Sequence, residues 1–481
     1  MSSPEVLRHK TAIRRGALSR PVRLALEADL VNETSSVFDY GCGRGDDLRG
    51  LTKRNISCEG WDPVHRKQGV RQEADIVNLG YVVNVIECPN ERNQTLQAAW
   101  KLAKSALVVS ARLNHEEKTL AKRDAHQDGV VTSTSTFQKF FEQGELRDWI
   151  ETSLETTAEP AAPGIFFVFR DEGMRERFLA RRFRRRIANP RTSRSQEQYE
   201  DNQELLEPLR QFVLDHGRLP VLEELDSTPA ICEAFGSIKR AFRVIQNSSA
   251  AGAWDEVREQ RAEDLLLYVA LSRFGKRPRF GNLDRTMQQD VKSFFGSYKA
   301  ACEKADELLF ALGDLDVIYE ACKKATVGKL TPEALYVHAD YVDRLPLTLR
   351  LYEGCARNYV GSVESGNILK LNRLKPKISY LSYPDFEKKA HPELVGGLVV
   401  SLGSRNVRYF DYEDRENPPI LHRKETFVAE DHPGYAKFAK LTRSEERKGL
   451  LSKNTIGTRV GWEELLQAEG LSLKGHRLFG L

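Results

Sequence analysis

The sequence lacks long apolar runs, paired cysteines and a large excess of one charge. Its longest purely apolar stretch is LLLYVAL at 265–271, whereas a membrane-spanning helix takes about 20 such residues. None of its 7 cysteines forms a C-x-x-C pair, the net charge is only +4, and the N-terminal segment has no apolar core of a signal peptide. These absences predict a cytoplasmic protein with reduced thiols and no membrane partner.

The residues that are present suit a folded chain of several domains. Apolar residues make up 40% and charged residues 30% of the 481 positions, a balance typical of globular proteins, and the length predicts about three domains. Over residues 1–172, apolar strands alternate with helical segments, which predicts an α/β domain with a parallel sheet. Within it, the apolar spacing of TFQKFFEQGELRDWIETSL predicts a helix over 136–154.

Arginine is concentrated in a predicted helix and linker at 173–200. Nine arginines and one glutamate lie between Arg175 and Arg194. A guanidinium group binds phosphate through paired hydrogen bonds, so the segment is either a solvated helix or a strip that contacts nucleic-acid phosphates. The candidate phosphate-binding residues here are Arg181, Arg182, Arg184, Arg185 and Arg186.

The next section, 201–330, contains an internal repeat. Residues 216–242 and 274–302 share a Gly-x-x-Pro start, a Leu-Asp pair and a Phe-Gly-Ser tripeptide, which predicts two copies of one helical unit. The pattern resembles a short helical repeat found beside homing endonuclease domains, which implies DNA contact; a plain packing unit is the alternative. The basic candidates for DNA binding are Lys239, Lys276 and Arg277.

Strand-like alternation followed by helices predicts an α+β domain over 331–481. Its densest polar stretch contains His422, Arg423, Lys424 and Glu425. One hypothesis is a nuclease site with His422 as the base, and the alternative is a structural or phosphate-binding role. No metal-binding motif accompanies these residues, so no metal site is predicted.

The stretch VFDYGCGRGDDLRGL at 37–51 is a strand, a glycine-rich turn and the start of a helix. Such turns bring the backbone close to a nucleotide, and the dinucleotide version has the spacing G-x-G-x-x-G. Here Asp46 stands where the third glycine belongs. Acidic residues at a helix N-terminus would repel a pyrophosphate, so the turn favours a nucleoside ligand without phosphate.

Two further features accompany this turn: an acidic residue after the second strand and the run DIVNLGYVVNVIE. Asp62, about 20 residues beyond the glycines, is placed to bind ribose hydroxyls. With DYGCGRG and GWDP, these features resemble the class I S-adenosylmethionine-dependent methyltransferases. The resemblance implies a Rossmann-like fold and S-adenosylmethionine as cofactor. The implied cofactor-binding residues are Asp39, Gly41, Gly43, Gly45 and Asp62.

The sequence departs from that family between Asp62 and Asp75. The family places a third strand and two helices there, including an acid at the adenine, and this chain has only a short connection. Asp75 therefore either contacts the adenine or simply starts the next strand.

The acceptor side is less marked. DNA amino-methyltransferases carry D/N-P-P-Y/F after the fourth strand, and this chain has Asn78-Leu79-Gly80-Tyr81, without the prolines. The asparagine also comes about two residues too early for the strand's end. Asn78, Tyr81 and Asn84 are the candidate acceptor-side residues, and an ordinary strand-to-helix junction is the alternative.

Taken in order, segments such as KTAIRRGALSRPVR, LYEGCARNYVG and NPPILHRKETF resemble the methyltransferases encoded with bacterial DNA phosphorothioation systems. This resemblance implies a DNA-modification or antiviral defence context, with DNA and other proteins of such a system as partners. Three functions follow as hypotheses: methyl transfer to DNA, a catalytically inactive DNA-binding or scaffold component, and the His422 nuclease. RNA stays open as a substrate.

Overall fold

The computed structural model describes residues 8–11, 17–119, 123–132, 135–182, 199, 202–249 and 252–480. Its first section is a six-stranded sheet with the strand order β2-β1-β3-β4-β9-β8. These strands are β1 (Ser36–Tyr40), β2 (Ser57–Trp61), β3 (Ala74–Gly80), β4 (Ala103–Ser110), β8 (Ala158–Ala162) and β9 (Ile165–Phe169). A separate three-stranded sheet is formed by β5 (Arg123–His126), β6 (Gly129–Thr132) and β7 (Phe137–Gln138).

The large sheet has a Rossmann-like, doubly wound arrangement. Strands β2, β1, β3 and β4 are parallel, whereas β9 runs antiparallel to both of its neighbours. The helices of this section are α1 (Arg20–Glu27), α2 (Asp46–Thr52), α3 (Pro89–Leu102), α4 (Gln143–Leu154) and α5 (Glu172–Arg182). Apolar side chains of α1 and α2 cover one face of the sheet, and those of α3 and α4 cover the other.

Two local expectations for this section have different outcomes. Residues 62–73 contain no helix and no strand, so the connection from β2 to β3 is short, as the sequence spacing indicates. The predicted helix over 136–154 is wrong in its first turns, because α4 begins at Gln143 and Phe137–Gln138 pairs with β6 as a strand. The apolar residues at the start of this stretch belong to a strand, and their spacing also fits a helical period.

The second section is helical. It consists of α6 (Gln203–His216), α7 (Thr228–Phe235), α8 (Ile238–Asn247), α9 (Ala253–Leu271), α10 (Arg285–Phe295), α11 (Tyr298–Ala311) and α12 (Leu315–Lys324). Each Phe-Gly-Ser tripeptide joins two helices in the same way. The phenylalanine ends one helix, the glycine has a φ of 75° or 73°, and the serine hydroxyl caps the next helix at 3.3 or 3.2 Å.

The third section is an antiparallel sheet with helices. Its strands lie in sequence order: β10 (Lys329–Leu330), β11 (Ala334–His338), β12 (Ile368–Asn372), β13 (Lys377–Ser382), β14 (Gly396–Ser401) and β15 (Asn406–Asp411). The helices are α13 (Leu347–Val360), α14 (Tyr435–Arg447) and α15 (Arg459–Ala468), followed by a hairpin of β16 (Leu471–Lys474) and β17 (Arg477–Gly480). Across the described ranges, no helix has the length and apolar content needed to cross a membrane.

Short 3₁₀ helices connect these elements. Two of them matter for the sites described below, at Val83–Val85 and Lys424–Phe427. The others are Arg8–Thr11, Asn114–Thr119, Ser272–Phe274, Phe280–Asn282, Ala339–Arg344 and Leu450–Ser452.

The three sections contact one another through close packing. Gly361, just after α13, has a φ of 78°, and a Cβ there would lie 2.5 Å from the backbone nitrogen of Ala162 in β8. The next amide, of Ser362, donates a hydrogen bond of 2.9 Å to the carbonyl of Ala161. The Tyr268 hydroxyl of α9 donates to Glu176 of α5. The third section therefore packs directly against β8 at the edge of the first sheet, and the second section packs against α5.

Candidate functional site

A cavity of about 580 Å³ lies at the carboxyl ends of β1, β2 and β3. Strand β1 has β2 on one side and β3 on the other, so the chain passes from β1 to β2 and then crosses back over β1 to reach β3. Ligands of open α/β sheets bind at such a point. Gly41 has a φ of 85°, and a Cβ there would lie 2.5 Å from Cγ2 of Val82. The glycine lets the turn pass close to the end of β3.

The N–H groups of this turn are already bonded within the protein. The amides of Gly41 and Cys42 both donate to the carbonyl of Trp61, at 2.8 and 3.1 Å. The amide of Gly43 donates to Asp62 Oδ2 at 3.1 Å. Helix α2, which follows the turn, begins with two aspartates. A pyrophosphate needs free N–H donors and a positive helix end, so this turn suits a ligand without phosphate at that point.

Asp62 directly follows β2 and lines the cavity. Its Oδ1 accepts hydrogen bonds from the amides of Val64 and His65, at 2.9 and 2.7 Å. Its Oδ2 accepts the bond from Gly43. Because each carboxylate oxygen accepts about two hydrogen bonds, Oδ1 is filled and Oδ2 retains one position. The carboxylate is thus held in one orientation and can accept a hydroxyl of a ligand.

Buried amides form the wall of the cavity at β3. Asn78 donates to Asp39 Oδ1 at 2.8 Å, and Asn84 donates to Gln138 Oε1 at 2.9 Å. The two asparagines are 3% and 1% exposed. Their Oδ1 atoms have no hydrogen-bond partner within the described residues, and a buried acceptor without a partner costs about 1–3 kcal/mol. A ligand with N–H or O–H groups would satisfy them.

Tyr81 contributes to the same wall with an unusual backbone. Its φ is 57°, a conformation that costs a non-glycine residue about 1–2 kcal/mol. Its amide donates to the Ser110 hydroxyl at 3.0 Å, at the end of the neighbouring β4. Local strain of this kind is common at ligand sites. Asn78 lies inside β3 rather than after it, so the sequence expectation that it comes too early for the strand's end agrees with the structure.

Three cavity features were missed from the sequence. The apolar spacing predicts a helix at Gln138, which lies in β7 and lines the cavity. Trp61 and Tyr40 also line the cavity, with ring centroids 5.4 Å apart, and the guanidinium of Arg71 lies 4.4 Å from the Trp61 ring centroid. Trp61 could have been noticed because it directly precedes Asp62. The contact between Arg71 and Trp61 could not be predicted, because it depends on how the connection between β2 and β3 folds back onto the sheet.

Cys42 also lines the cavity. Burial, followed by the charges of Asp39 and Asp62, raises the pKa of its thiol to about 12. The thiol is therefore protonated at neutral pH, and it is not a nucleophile.

Asp75 is not brought to the cavity. It lies near the amino end of β3, and its Oδ2 accepts hydrogen bonds from the amide and hydroxyl of Ser36, at 2.8 and 2.7 Å. These bonds lower the pKa of Asp75. Because the glycine turn is at the other end of the strands, the proposed adenine contact is corrected to a structural link between β1 and β3.

The candidate nucleic-acid residues have different surroundings. Arg182 donates to the carbonyl of Pro160, and Arg277 pairs with Asp306 at 2.6 Å, so both guanidinium groups are engaged inside the protein. Arg181 is exposed and pairs with Asp29 at 2.9 Å. The remaining lysines of this set, Lys239 and Lys276, are exposed. Arg184, Arg185 and Arg186 lie outside the described residues.

The four polar residues at 422–425 do not form one site. The ring of His422 lies at a tilt of 41° to that of His391, with ring centroids 4.2 Å apart. Lys424 donates to the carbonyl of Lys389 at 2.6 Å. The other two, Arg423 and Glu425, pair with Glu446 and Thr442. His422 is only 9% exposed, so a nucleic-acid phosphate cannot reach it, which argues against the nuclease hypothesis.

No protein-family model and no curated protein matches the sequence. Among solved structures, the chain is similar to DesVI of Streptomyces venezuelae, with 14% identity, a TM-score of 0.24, and coverage of 31% of this chain and 91% of that one. It is also similar to the SAM-bound amino pentose methyltransferase CalS10 of Micromonospora echinaspora, with 16% identity, a TM-score of 0.22, and coverage of 31% and 88%.

A third similar structure is the magnesium protoporphyrin IX methyltransferase ChlM of Synechocystis PCC 6803 with bound SAH. The identity is 11%, the TM-score is 0.22, and the match covers 34% of this chain and 93% of that one. TM-scores this low are no evidence of a shared function. The function therefore has to come from the cavity and its residues.

Proposed function

We propose that this protein is an S-adenosylmethionine-dependent methyltransferase whose cofactor binds in the cavity at β1, β2 and β3. The observation that carries the proposal is the carboxylate of Asp62. Three amides hold it beside the glycine turn, with one acceptor position left at Oδ2. That position suits a ribose hydroxyl, and the turn's own N–H groups are used internally, which disfavours a dinucleotide.

The residues of the cavity fit each part of such a cofactor. Asp62 would accept the ribose hydroxyl, and Gly41 keeps the space beside Val82 that any larger residue would fill. Trp61 and Tyr40 offer aromatic surface to a purine. When bound, S-adenosylmethionine supplies a methyl group on a sulfonium, which an acceptor takes by in-line displacement. The protein's part is to hold and orient both molecules.

The acceptor is proposed to be an amine or a hydroxyl. Asn78 and Asn84 present oxygens without partners, and an oxygen acceptor pairs with an N–H or O–H group. Their own N–H groups are committed to Asp39 and Gln138, which leaves Oδ1 as the atom of each amide that a ligand could engage. Tyr81, at the end of β3, is the aromatic residue placed beside them.

Calorimetric titration of S-adenosylmethionine into the full chain and into Asp62→Ala tests the cofactor assignment. We expect wild-type binding and a loss of about 10- to 150-fold in the variant, since one hydrogen bond to a charged group contributes about 1.5–3 kcal/mol. Asp75→Asn is the matched control and should bind like the wild type. NAD⁺ is titrated in parallel. Binding of NAD⁺ in place of S-adenosylmethionine, or equal affinity in Asp62→Ala, would overturn the proposal.

A second candidate is a component that binds the cofactor or DNA without catalysis. The short connection after β2 favours it, because residues 62–73 form no helix or strand beside the adenine end of the cavity. Transfer of a labelled methyl group to DNA or RNA separates the two candidates. Transfer that disappears in Asp62→Ala supports the enzyme, whereas tight nucleic-acid binding without transfer supports the binding component.

DNA is proposed as the macromolecular substrate, in a phosphorothioation or defence context. The support is the segment-by-segment sequence resemblance, together with the exposed side chains of Lys239 and Lys276. Gel-shift affinity of Lys239→Glu/Lys276→Glu should fall at least about tenfold, with a weaker salt dependence. Lys375→Glu/Lys388→Glu makes the same charge change elsewhere on the surface and should have little effect. Equal losses in both variants would indicate non-specific attraction, and preference for RNA would redirect the substrate assignment.

A further inference from the structure

Three polar side chains from separate segments meet inside the third section. His391 comes from the segment before β14, His422 from the segment after β15, and Glu445 from α14. One ligand-type atom of each lies within 4.8 Å of those of the other two. The residues are 8%, 9% and 0% exposed. We call these three residues the His–His–Glu cluster.

Backbone carbonyls orient both imidazoles of the cluster. His422 Nε2 lies 2.7 Å from the carbonyl oxygen of Ile456, and His391 Nδ1 lies 3.3 Å from that of Leu421. Since a carbonyl oxygen only accepts, the ring nitrogen facing it carries the hydrogen. Each neutral ring then has its lone pair on the opposite nitrogen, which is Nδ1 of His422 and Nε2 of His391. Histidines that bind metals are commonly held in this way.

The lone pairs fixed by these bonds face no donor. Nδ1 of His422 and Oε2 of Glu445 have no hydrogen-bond partner within the described residues. Nε2 of His391 lies 2.8 Å from Oε1 of Glu445, so an acceptor faces an acceptor. A single proton shared between His391 and Glu445 would resolve that contact. It would leave the other two buried acceptors unsatisfied, each at a cost of about 1–3 kcal/mol.

We propose that the His–His–Glu cluster binds one divalent transition-metal cation, with Zn²⁺ as the best fit. A cation satisfies the lone pairs of His391 and His422 and the carboxylate of Glu445 together. Two imidazoles and one carboxylate are a ligand set of zinc proteins. Tetrahedral Zn²⁺ with bonds of about 2.0–2.2 Å separates its ligands by about 3.5 Å, which falls between the 2.8 Å from His391 Nε2 to Glu445 Oε1 and the 4.8 Å limit of the cluster, so small side-chain movements suffice for binding. Water takes the fourth position.

The role we propose for the cation is structural. It would tie two connecting segments to α14 in a buried part of the chain. A bound cation stabilises the folded chain according to its concentration and affinity. The site lies in a different section from the cavity at β1, β2 and β3, so its occupancy and methyl transfer can be tested separately.

The test uses the full chain without a metal-binding tag, purified without chelator. Elemental analysis should find about one equivalent of zinc per chain. After the metal is stripped, Co²⁺ should restore the visible absorption of a tetrahedral site, and Tm should rise when Zn²⁺ is added back. Zinc below about 0.2 equivalents, with no tetrahedral Co²⁺ spectrum and no change in Tm, would overturn the proposal and support the shared proton.

Two isosteric variants assign the ligands. Glu445→Gln should weaken Co²⁺ binding at least about 100-fold, because it replaces a carboxylate ligand with a neutral amide. Glu387→Gln is the matched control, since Glu387 pairs with His432 at 3.2 Å in the same section, and it should bind like the wild type. Unchanged Co²⁺ binding in Glu445→Gln, or equal loss in Glu387→Gln, would contradict the assignment. If Glu445→Gln fails to fold, the wild-type titration decides the question, and His422→Gln supplies the ligand variant.

Discussion

The cavity at β1, β2 and β3 and the His–His–Glu cluster both gather polar side chains that retain acceptor atoms without partners. They differ in access. The cavity is open, and Asp62 at its rim is partly exposed, whereas the cluster is buried, with Glu445 inaccessible to solvent. An open site can exchange its ligand at every turnover. A buried site suits an ion that stays bound. In this chain, solvent access distinguishes the proposed substrate site from the proposed structural site better than residue type does.

The largest expected effect is on stability at the buried cluster. Glu445→Ala should lower the free energy of unfolding by about 2–4 kcal/mol, because it removes the hydrogen-bond partner of His391 and opens a cavity at a fully buried position. Urea unfolding measures the change. Glu387→Ala removes a carboxylate that is mostly exposed, with a side-chain exposure of 57%, and should cost under about 1 kcal/mol. If Glu445→Ala lowered the free energy of unfolding as little as Glu387→Ala does, burial of the cluster would not contribute to stability as we expect.

The next effect is on cofactor binding at the glycine turn. Gly41→Ala combines a left-handed backbone, which costs about 1–2 kcal/mol, with a Cβ placed 2.5 Å from Val82 Cγ2. We expect its affinity for S-adenosylmethionine to fall about 30-fold or more by calorimetry. Gly45→Ala is the control, since its φ is 73° but its nearest neighbours are 3.7 Å away. Gly41→Ala/Val82→Ala should regain part of the loss; if it does not, steric contact is not the cause.

A smaller effect is expected at the acceptor wall. Asn84→Ala should reduce methyl transfer about tenfold, the equivalent of one lost hydrogen bond, and leave the affinity for S-adenosylmethionine within about twofold. Initial rates with labelled cofactor measure it. Asn93→Ala is the comparison, because Asn93 also has an Oδ1 without a partner but does not line the cavity. Similar losses in both variants would mean that the unpartnered oxygen of Asn84 has no special role.

The smallest effect is expected at Asp75. Asp75→Asn should lower the free energy of unfolding by about 1 kcal/mol at neutral pH, because the bonds from Ser36 favour the charged carboxylate. Hydrogen bonding lowers the pKa of Asp75 in the folded chain, so this stabilisation exists above the unfolded pKa of about 3.9 and is lost as the pH falls through the folded value. Denaturant unfolding at pH 7 and below pH 3 should therefore show the two proteins converging. A weaker cofactor affinity in Asp75→Asn would restore the adenine assignment.

The sequence predicted the site whose residues are close together in the chain and missed the one whose residues are far apart. Gly41 and Asp62 belong to one strand–turn–helix–strand stretch, in which spacing alone indicates the geometry. His391, His422 and Glu445 come from three separated segments and meet only after the antiparallel sheet and α14 have packed. No spacing motif marks such a set, so the sequence predicts no metal site. The proposed zinc and Co²⁺ measurements test that prediction.

The remaining errors have physical causes that a single sequence does not reveal. Gln138 reaches the cavity because a short strand, β7, pairs with β6 where the apolar spacing also fits a helix. Arg182 and Arg277 belong to basic stretches, yet packing supplies each with an internal acceptor. Asp75 lies at the amino rather than the carboxyl end of its strand, which depends on where β3 begins. Each error concerns which end or face of an element a side chain occupies.

The close fit of Gly361 against β8 has a consequence for how the chain unfolds. Removing the third section would uncover the backbone at Ala161 and Ala162, and removing the second section would take the Tyr268 hydroxyl away from the buried Glu176 of α5. Each section therefore supplies part of its neighbour's interior, and loss of one destabilises the next. We expect a single cooperative calorimetric transition for the whole chain, and poor recovery of a folded fragment that ends at residue 172.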